Sequence, residues 1–337
     1  MRNIKKWLSL SLAILLCLAC FVSCAKKNEK PIATFGEYDV LYDELRYLVL
    51  TQKDIMKATY GETIFDTPES AEAYRDELEE AVLDKLEQNY VVLAACKHYL
   101  PDLKIDDETV TDAVDDFIAD AAQQAGDEEA FFEISASYHM SESFIRFTAA
   151  VSIMEDLLRQ ELSKRSDIDN FFANTEQEQF ADWIRSGNGV YVQHIFVRND
   201  SGESVEENRN LAKEAREKLI NGSLTISQAV GSAVYNQDPS NTSPYYLLRD
   251  VYDPALENAA LALKQNGDVS DVVETENGFY VFIRIEDKEE LILNQKLFTL
   301  LSSHQWSRTE QIKETFRDDV DLEWTEYGNS IDFLTIE

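Results

Sequence analysis

The spacing of apolar residues changes near residue 188 and separates two kinds of structure along the chain. Before this point apolar side chains recur at helical intervals. The most regular case repeats every fourth residue: Tyr74, Leu78, Val82, Leu86 and Tyr90. Such a stripe predicts a helix with one buried face, here with Thr67 as its N-cap. Similar patterns predict helices over 107–125, 128–138 and 142–164, so residues 32–187 are predicted to be a mostly helical domain.

After residue 188 the pattern becomes that of strands mixed with short helices. The stretch VYVQHIFV, residues 190–197, predicts a half-buried strand, and the helix that follows ends near Gly222. A second short helix, a turn-rich loop, a helix led by Pro254 and a hairpin at Asn277-Gly278 complete the pattern. This order predicts an α+β domain with a small antiparallel sheet over residues 188–288. Residues 289–337 are predicted to add a helix and a strand.

The N-terminus has the features of an export signal. Basic MRNIKK precedes an apolar run of 16 residues, which is short for a helix that spans a membrane. Cys24 then follows the small Ser23, as in the lipobox of bacterial lipoproteins, although Phe21 stands where leucine is usual. We therefore predict a signal peptide over 1–23, lipidation at Cys24 and a tether over 24–31. Two alternatives are lipidation at Cys20 and an uncleaved signal anchor.

Charge and cysteine content exclude several classes of function. The chain has 64 acidic and 31 basic residues and a formal net charge of −33, so it repels nucleic acid and anionic lipid but could attract basic polypeptides. Cys96 is the only cysteine outside the N-terminal segment, so no internal disulfide is predicted. No cysteine and histidine cluster has the spacing of a zinc site, and we predict neither a metal nor a cofactor.

His194 is the candidate for chemistry, because alternation places it on the apolar strand face with Val192 and Phe196. An imidazole at such a position has three interpretations: a core histidine with satisfied hydrogen bonds, a metal ligand, or part of a catalytic site. The strand alone does not distinguish these three interpretations of His194. The order of the segments along residues 188–288 adds further information.

This order of segments resembles that of the parvulin-type (PpiC-type) peptidyl-prolyl isomerases. VQHIFV is similar to the first strand of that family with its signature histidine, and AKEAREKLINGS is similar to its first helix. YNQDPS is similar to the segment that carries a catalytic Asp or Cys. The Pro-led helix, Gly turn and Gly-aromatic strand follow in the family's order. FGEYDVLYDEL and YHMSESFIRF resemble segments of the helical domain in SurA/PrsA-type extracytoplasmic foldases, where a C-terminal segment packs back on that domain.

The resemblance implies specific site residues. His194 matches the signature histidine, Asp238 matches the Asp/Cys position, and Tyr280 stands where the family has a second histidine, from which it could hydrogen-bond His194. For the pocket that receives the prolyl ring, the resemblance implies Tyr252 and Leu256, with Leu248 as a further wall. Ser243-Pro244 replaces the family's Gly-Gly turn.

The implied function is a membrane-anchored, extracytoplasmic foldase at the bacterial cell membrane that isomerises X-Pro bonds of exported polypeptides. Unfolded or partly folded chains would be its partners, and no cofactor is needed. The alternative is a non-catalytic holdase with a degenerate parvulin domain.

Overall fold

A computed structural model describes residues 30–199, 204–238, 240 and 243–337. The predicted signal peptide and Cys24 lie outside the described residues. The described strands are β1 (Pro31–Phe35), β2 (Tyr38–Leu41), β3 (Gly189–Arg198), β4 (Tyr245–Leu248), β5 (Val273–Thr275), β6 (Gly278–Arg284) and β7 (Glu323–Trp324). The α-helices are α1 (Tyr42–Tyr60), α2 (Pro68–Glu72), α3 (Arg75–Tyr99), α4 (Glu108–Ala125), α5 (Glu128–Ser137), α6 (Glu142–Leu162), α7 (Gln177–Trp183), α8 (Val205–Ile220), α9 (Ile226–Val230), α10 (Pro254–Leu261) and α11 (Leu291–Glu314).

The chain divides into two units, one formed by the residues up to Glu161 with Ile312–Glu337 and the other by Leu162–Gln311. The first unit is mostly helical and contains a three-stranded antiparallel sheet in the order β2-β1-β7. The second contains a four-stranded antiparallel sheet with helices. The predicted fold class, a helical domain completed by a C-terminal segment plus an α+β domain with a small antiparallel sheet, is thereby confirmed.

In the first unit the predicted stripe is buried on α3, where Leu78, Val82, Leu86 and Tyr90 are all 0% exposed. The predicted single helix after Thr67 is wrong. Thr67 caps only the short α2, and the backbone leaves helical geometry at Tyr74 before α3 begins. The ring of Tyr74 packs there against Tyr60, with centroids 5.2 Å apart.

In the second unit β3 is the central long strand, paired with β4 over its first residues and with β6 from Val192 to Arg198. One sheet face packs on α10, with Val192, Leu261 and Phe282 in a shared core. The opposite face carries Ile195 and Val281, which pack with residues of α8 and α9. Side chains of β3 are buried on both faces because helices cover both.

Two boundaries differ from those predicted. The segment YYLL, predicted to be the end of a loop, is β4, because its residues pair with Gly189–Val192. Residues 162–187, predicted to belong to the helical domain, lie in the second unit, as does the part of α11 before Ile312. The physical reason is a core in which Phe180 and Ile184 pack against Leu248, Leu293 and Leu301.

Within the described residues, no helix combines the length and apolar character needed to cross a membrane.

Candidate functional site

His194 lies in the middle of β3, directly opposite Phe282 on β6. It is 7% exposed. The surrounding rings are Tyr245, Tyr280 and Phe282, with centroids 5.7, 5.5 and 5.9 Å from the imidazole. The histidine therefore forms part of an aromatic wall on the same sheet face as α10.

Asp238 is held beside this wall by the free edge of β3. β4 pairs with β3 only as far as Val192. Beyond it the main-chain N–H of Gln237 donates to the carbonyl of Phe196 at 2.7 Å, and the N–H of Phe196 donates to the Asn236 side-chain oxygen at 3.2 Å. The N–H of Arg198 donates to Gln237 Oε1 at 2.8 Å. These bonds use the edge groups of the strand and fix the backbone that leads into Asp238.

The two predicted residues His194 and Asp238 come together. His194 Nε2 lies 3.2 Å from Asp238 Oδ2. The other carboxylate oxygen, Oδ1, accepts bonds from the main-chain N–H of Ser240 at 2.9 Å and from its hydroxyl at 2.6 Å. Both oxygens of Asp238 are therefore oriented, one toward the histidine and one by a local turn.

Tyr245 was missed by the sequence reasoning. Its hydroxyl lies 2.9 Å from His194 Nδ1, and its ring meets the imidazole edge-on at 89°. The available signal was the alternation in YYLL, which places Tyr245 and Leu247 on one strand face. That signal went unused because the segment was predicted to be a loop.

The protonation state of the pair follows from burial and hydrogen bonding. Burial lowers the pKa of His194, and the nearby Asp238 opposes this only in part. Burial would raise the pKa of Asp238, but hydrogen bonds from Ser240 and its interactions with His194 outweigh that effect and lower it. At neutral pH the histidine is therefore neutral and Asp238 is ionised. An ionised carboxylate only accepts, so Nε2 carries the proton and Nδ1 accepts from the Tyr245 hydroxyl.

The expectation that Tyr280 hydrogen-bonds His194 is wrong. Register places Tyr280 opposite Phe196, on which its ring stacks with a centroid distance of 4.3 Å. Tyr280 is thus the diagonal neighbour of His194, and Tyr245 and Asp238 bind the ring nitrogens instead. Tyr280 still contributes an aromatic face, and burial raises the pKa of its hydroxyl.

The three predicted pocket residues have different environments. Leu256 is partly buried and packs, as do Tyr245 and Tyr280, against the core that contains Phe282. Tyr252 is 41% exposed, and its ring centroid lies 6.5 Å from that of Tyr245. Leu248 is not a pocket wall, because strand alternation turns it to the opposite face, where it packs with Phe180 and Leu293. Its neighbour Leu247 takes the inward position.

Asp238 also borders a cavity of about 990 Å³, whose other walls include Gln193, Val230 and Pro244. A cavity of this size can receive several residues of an extended peptide. In the part of the chain that is described, no group of three or more His, Cys, Asp and Glu residues is arranged to hold a metal ion. Around His194 the described residues supply hydrogen-bonding groups, one carboxylate and aromatic walls.

Comparisons with known proteins agree with this geometry. Residues 194–286 match a family model described as Rotamase, PPIC-type PPIASE domain. Foldase protein PrsA 2 of Listeria monocytogenes is 25% identical over 218 residues, which span 63% of this chain and 65% of that protein. Foldase protein PrsA 2 of Listeria innocua is also 25% identical over 218 residues, which span 63% of this chain and 66% of the Listeria innocua protein. The match thus spans slightly less than two thirds of these relatives.

A solved structure of PrsA from Bacillus anthracis is 16% identical, with a TM-score of 0.39, and the superposition covers 70% of this chain and 98% of that one. The family match begins at His194 and includes Asp238, Tyr245 and Tyr280. Residues 194–286 are therefore a PPIC-type (parvulin-type) domain, in a chain that is similar to PrsA foldases over 63% of its length.

Proposed function

We propose that this protein is a peptidyl-prolyl cis-trans isomerase that assists the folding of exported polypeptides. The observation that carries the proposal is the hydrogen-bonded pair of His194 and Asp238 beside an aromatic wall, within the residues that match the isomerase family. Rotation about an X-Pro bond needs no cofactor. Its barrier of about 18–20 kcal/mol arises because twisting destroys the resonance of the amide.

The site lowers this barrier by favouring the twisted amide. The prolyl ring packs against Leu256, Tyr252 and Tyr280, which exclude water from one side of the bond. One resonance form of the X-Pro amide has a negative carbonyl oxygen and a positive nitrogen. The Asp238 carboxylate disfavours this form when the carbonyl oxygen lies near it, because the two negative charges repel. The double-bond character of the C–N bond is therefore reduced. The hydroxyls of Tyr252 and Tyr280 can donate to the prolyl nitrogen, which gains a lone pair as the bond twists. Each ~1.4 kcal/mol of such selective stabilisation raises the rate about tenfold.

His194 acts in this proposal as a neutral hydrogen-bonding bridge. It donates through Nε2 to Asp238 and accepts through Nδ1 from Tyr245, so it orients the carboxylate and one wall of the pocket together. Tyr245 is the hydrogen-bond partner of His194, the role that was predicted for Tyr280. Asp238, His194 and Tyr280 remain the proposed catalytic residues, and Tyr245 is a positioning residue.

A protease-coupled assay on X-Pro peptides tests the isomerase proposal directly. The purified protein should raise the isomerisation rate above that in buffer, and His194→Ala and Asp238→Ala should each reduce it. Asp271→Asn provides a matched control, because Asp271 is an exposed acid that pairs with Arg216 in the same unit. Rates indistinguishable from buffer would overturn the proposal, and suppression of client aggregation without any rate effect would favour the non-catalytic holdase.

We also propose that Cys24 is lipidated and anchors the protein at the extracytoplasmic face of the bacterial membrane. The support is the basic and apolar N-terminal pattern with a small residue before the cysteine. Mass spectrometry of the membrane-extracted protein should find a lipid-modified N-terminal peptide that begins at Cys24. Cys24→Ser should abolish that peptide, whereas Cys20→Ser should leave it; the reverse pattern would assign the anchor to Cys20.

A further inference from the structure

The first unit contains an open apolar groove between α4, α5 and α6, which we call the α4–α6 groove. Its volume is about 470 Å³, and its apolar lining comes mainly from Phe117, Phe131, Met140, Ile145 and Ile153. Phe117 is 50% exposed at its edge. A large aromatic side chain left half in water beside a groove of this size is typical of a surface that binds another molecule.

The exposed apolar surface continues onto α5. On the exposed face of α5, Ile134 is 52% exposed, and Tyr138, the residue that follows the end of the helix, is 69% exposed. Phe131 lies three residues before Ile134 and joins this face to the groove lining. The surface is therefore long enough to contact several side chains of a bound segment.

Acidic residues are frequent on the helices that form the groove. Between Lys104 and Arg146 the sequence has twelve aspartates and glutamates and no lysine or arginine. Asp156 lines the groove directly and pairs with Arg159 at 3.0 Å. Asp120 lies three residues after Phe117, on the same face of α4. Glu128 likewise precedes Phe131 by one helical turn.

The basic residue Arg146 binds Asp115 at 2.7 Å and Glu142 at 3.0 Å. Asp116, Asp120 and Glu128 take part in no ion pair with another described residue. Their charge is therefore not neutralised within the described part of the molecule, and it acts on whatever enters the groove.

We propose that the α4–α6 groove binds a short apolar segment of an unfolded polypeptide that is flanked by lysine or arginine. The apolar lining receives the middle of the segment, and the carboxylates at the rim attract its basic ends. A segment flanked by acidic residues has the same apolar area but meets like charge. The groove thus selects clients by charge as well as by hydrophobicity, independently of the isomerase site in the second unit.

Fluorescence anisotropy with labelled peptides and the full chain tests this proposal. The peptides contain no proline, so that the isomerase site is not the one probed. One peptide has a Leu/Phe centre flanked by lysines, a second replaces the lysines with glutamates, and a third keeps the lysines around a serine centre. We expect the first to bind about tenfold more tightly than either of the others, and its affinity to fall with added salt.

Variants locate the binding. Phe117→Ala and the double variant Asp116→Asn/Asp120→Asn should each weaken the first peptide about tenfold. Phe298→Ala is the control for the aromatic change, since Phe298 is 61% exposed in the second unit. Asp318→Asn/Asp321→Asn is the control for the charge change, since both are exposed acids outside the groove. Both controls should bind like the unchanged protein.

Three results would overturn the proposal: equal binding of the lysine and glutamate peptides, no loss in Phe117→Ala, or equal losses in the control variants. Sedimentation measurements on the full chain test whether a second copy of the chain occupies the groove instead of a peptide. Self-association that Phe117→Ala abolishes, without peptide binding, would assign the groove to a second copy of the chain and would also overturn it. His194→Ala should leave peptide binding unchanged even if it abolishes isomerase activity.

Discussion

The Tyr245 hydroxyl lies 2.9 Å from Nδ1 of His194, on a strand that pairs with the first part of β3. The imidazole is thereby held between a phenol on one side and a carboxylate on the other. With Asp238 ionised, this arrangement selects one neutral tautomer, and the tautomer in turn fixes the direction of both hydrogen bonds.

Tyr245→Phe should keep the aromatic wall and lose only the bond to Nδ1. The lost bond is worth about 1–1.5 kcal/mol, so we expect kcat/KM for an X-Pro peptide to fall about tenfold. The ¹⁵N chemical shift of His194 Nδ1 should move to that of a nitrogen without a hydrogen bond, whereas Nε2 should keep its proton because Asp238 still accepts it. Tyr246→Phe is the matched control, because its hydroxyl bonds Asp287 at 2.9 Å, away from His194. A rate loss of equal size in both variants would contradict a positioning role for Tyr245.

Leu248→Ala and Leu256→Ala should separate stability from substrate binding. Leu248 is 2% exposed in the core with Phe180 and Leu293, so its truncation should lower the free energy of unfolding by about 2–5 kcal/mol and leave KM nearly unchanged. Leu256 is partly buried beside the aromatic wall, so its truncation should cost less stability and raise KM several-fold. Urea denaturation and steady-state kinetics measure the two effects. A raised KM in Leu248→Ala alone would restore that residue as a pocket wall.

His304 should make the protein less stable in acid. Its ring is fully buried against Phe172, Phe180 and Trp183, and neither nitrogen has a hydrogen-bond partner in the described part of the chain. Burial lowers its pKa to about 4; the charge of Asp250 opposes this shift and that of Arg308 reinforces it. The unfolded state therefore binds the proton more tightly, so stability is complete above the unfolded pKa of about 6.5 and is lost as pH falls toward 4.

The loss should be on the order of 3 kcal/mol between neutral pH and pH ~4. His304→Phe retains an aromatic ring and removes the proton site, so its unfolding free energy should depend less on pH over this range. Urea denaturation followed by tryptophan fluorescence measures this, because the ring centroid of Trp183 lies 4.8 Å from that of the imidazole. His98→Phe, an exposed histidine in the first unit, is the control and should keep the pH dependence of the unchanged protein.

Glu44 should have the opposite effect in the first unit. It is 3% exposed and accepts hydrogen bonds from Asn89 at 2.9 Å and from Tyr90 at 3.0 Å. Burial raises its pKa to about 7, and the two hydrogen bonds oppose the shift. The folded state therefore holds the proton more tightly, and the contribution of Glu44 is present below the unfolded pKa and is lost as pH rises through 7.

Glu44→Gln should remove this dependence, because the amide cannot ionise and can still bond both neighbours. We expect the unchanged protein to lose on the order of 3 kcal/mol between pH ~5 and pH ~8 from this residue, and the variant to lose much less. Thermal or urea denaturation at the two pH values measures it, with exposed Glu80→Gln as the control. The same slope in both variants would mean that Glu44 ionises without cost.

Local patterns in the sequence predicted most of the elements and the order in which they occur. Helical stripes, the cap at Thr67, the helix led by Pro254 and the hairpin turn at Gly278 are local signals, because each depends on side chains only a few residues apart. The ordered series of such signals was also enough to place His194 and Asp238 in one kind of site.

Which side chains meet across those segments depends on the tertiary fold. Tyr245 and not Tyr280 binds His194, and Leu247 and not Leu248 faces the pocket. Both outcomes depend on strand pairing and register, in which a shift of one residue reverses every side chain. The acidic run of α4 and α5 was visible in the sequence as charge alone. Its place around an apolar groove arises because three separate helices pack together, and no local pattern records that packing.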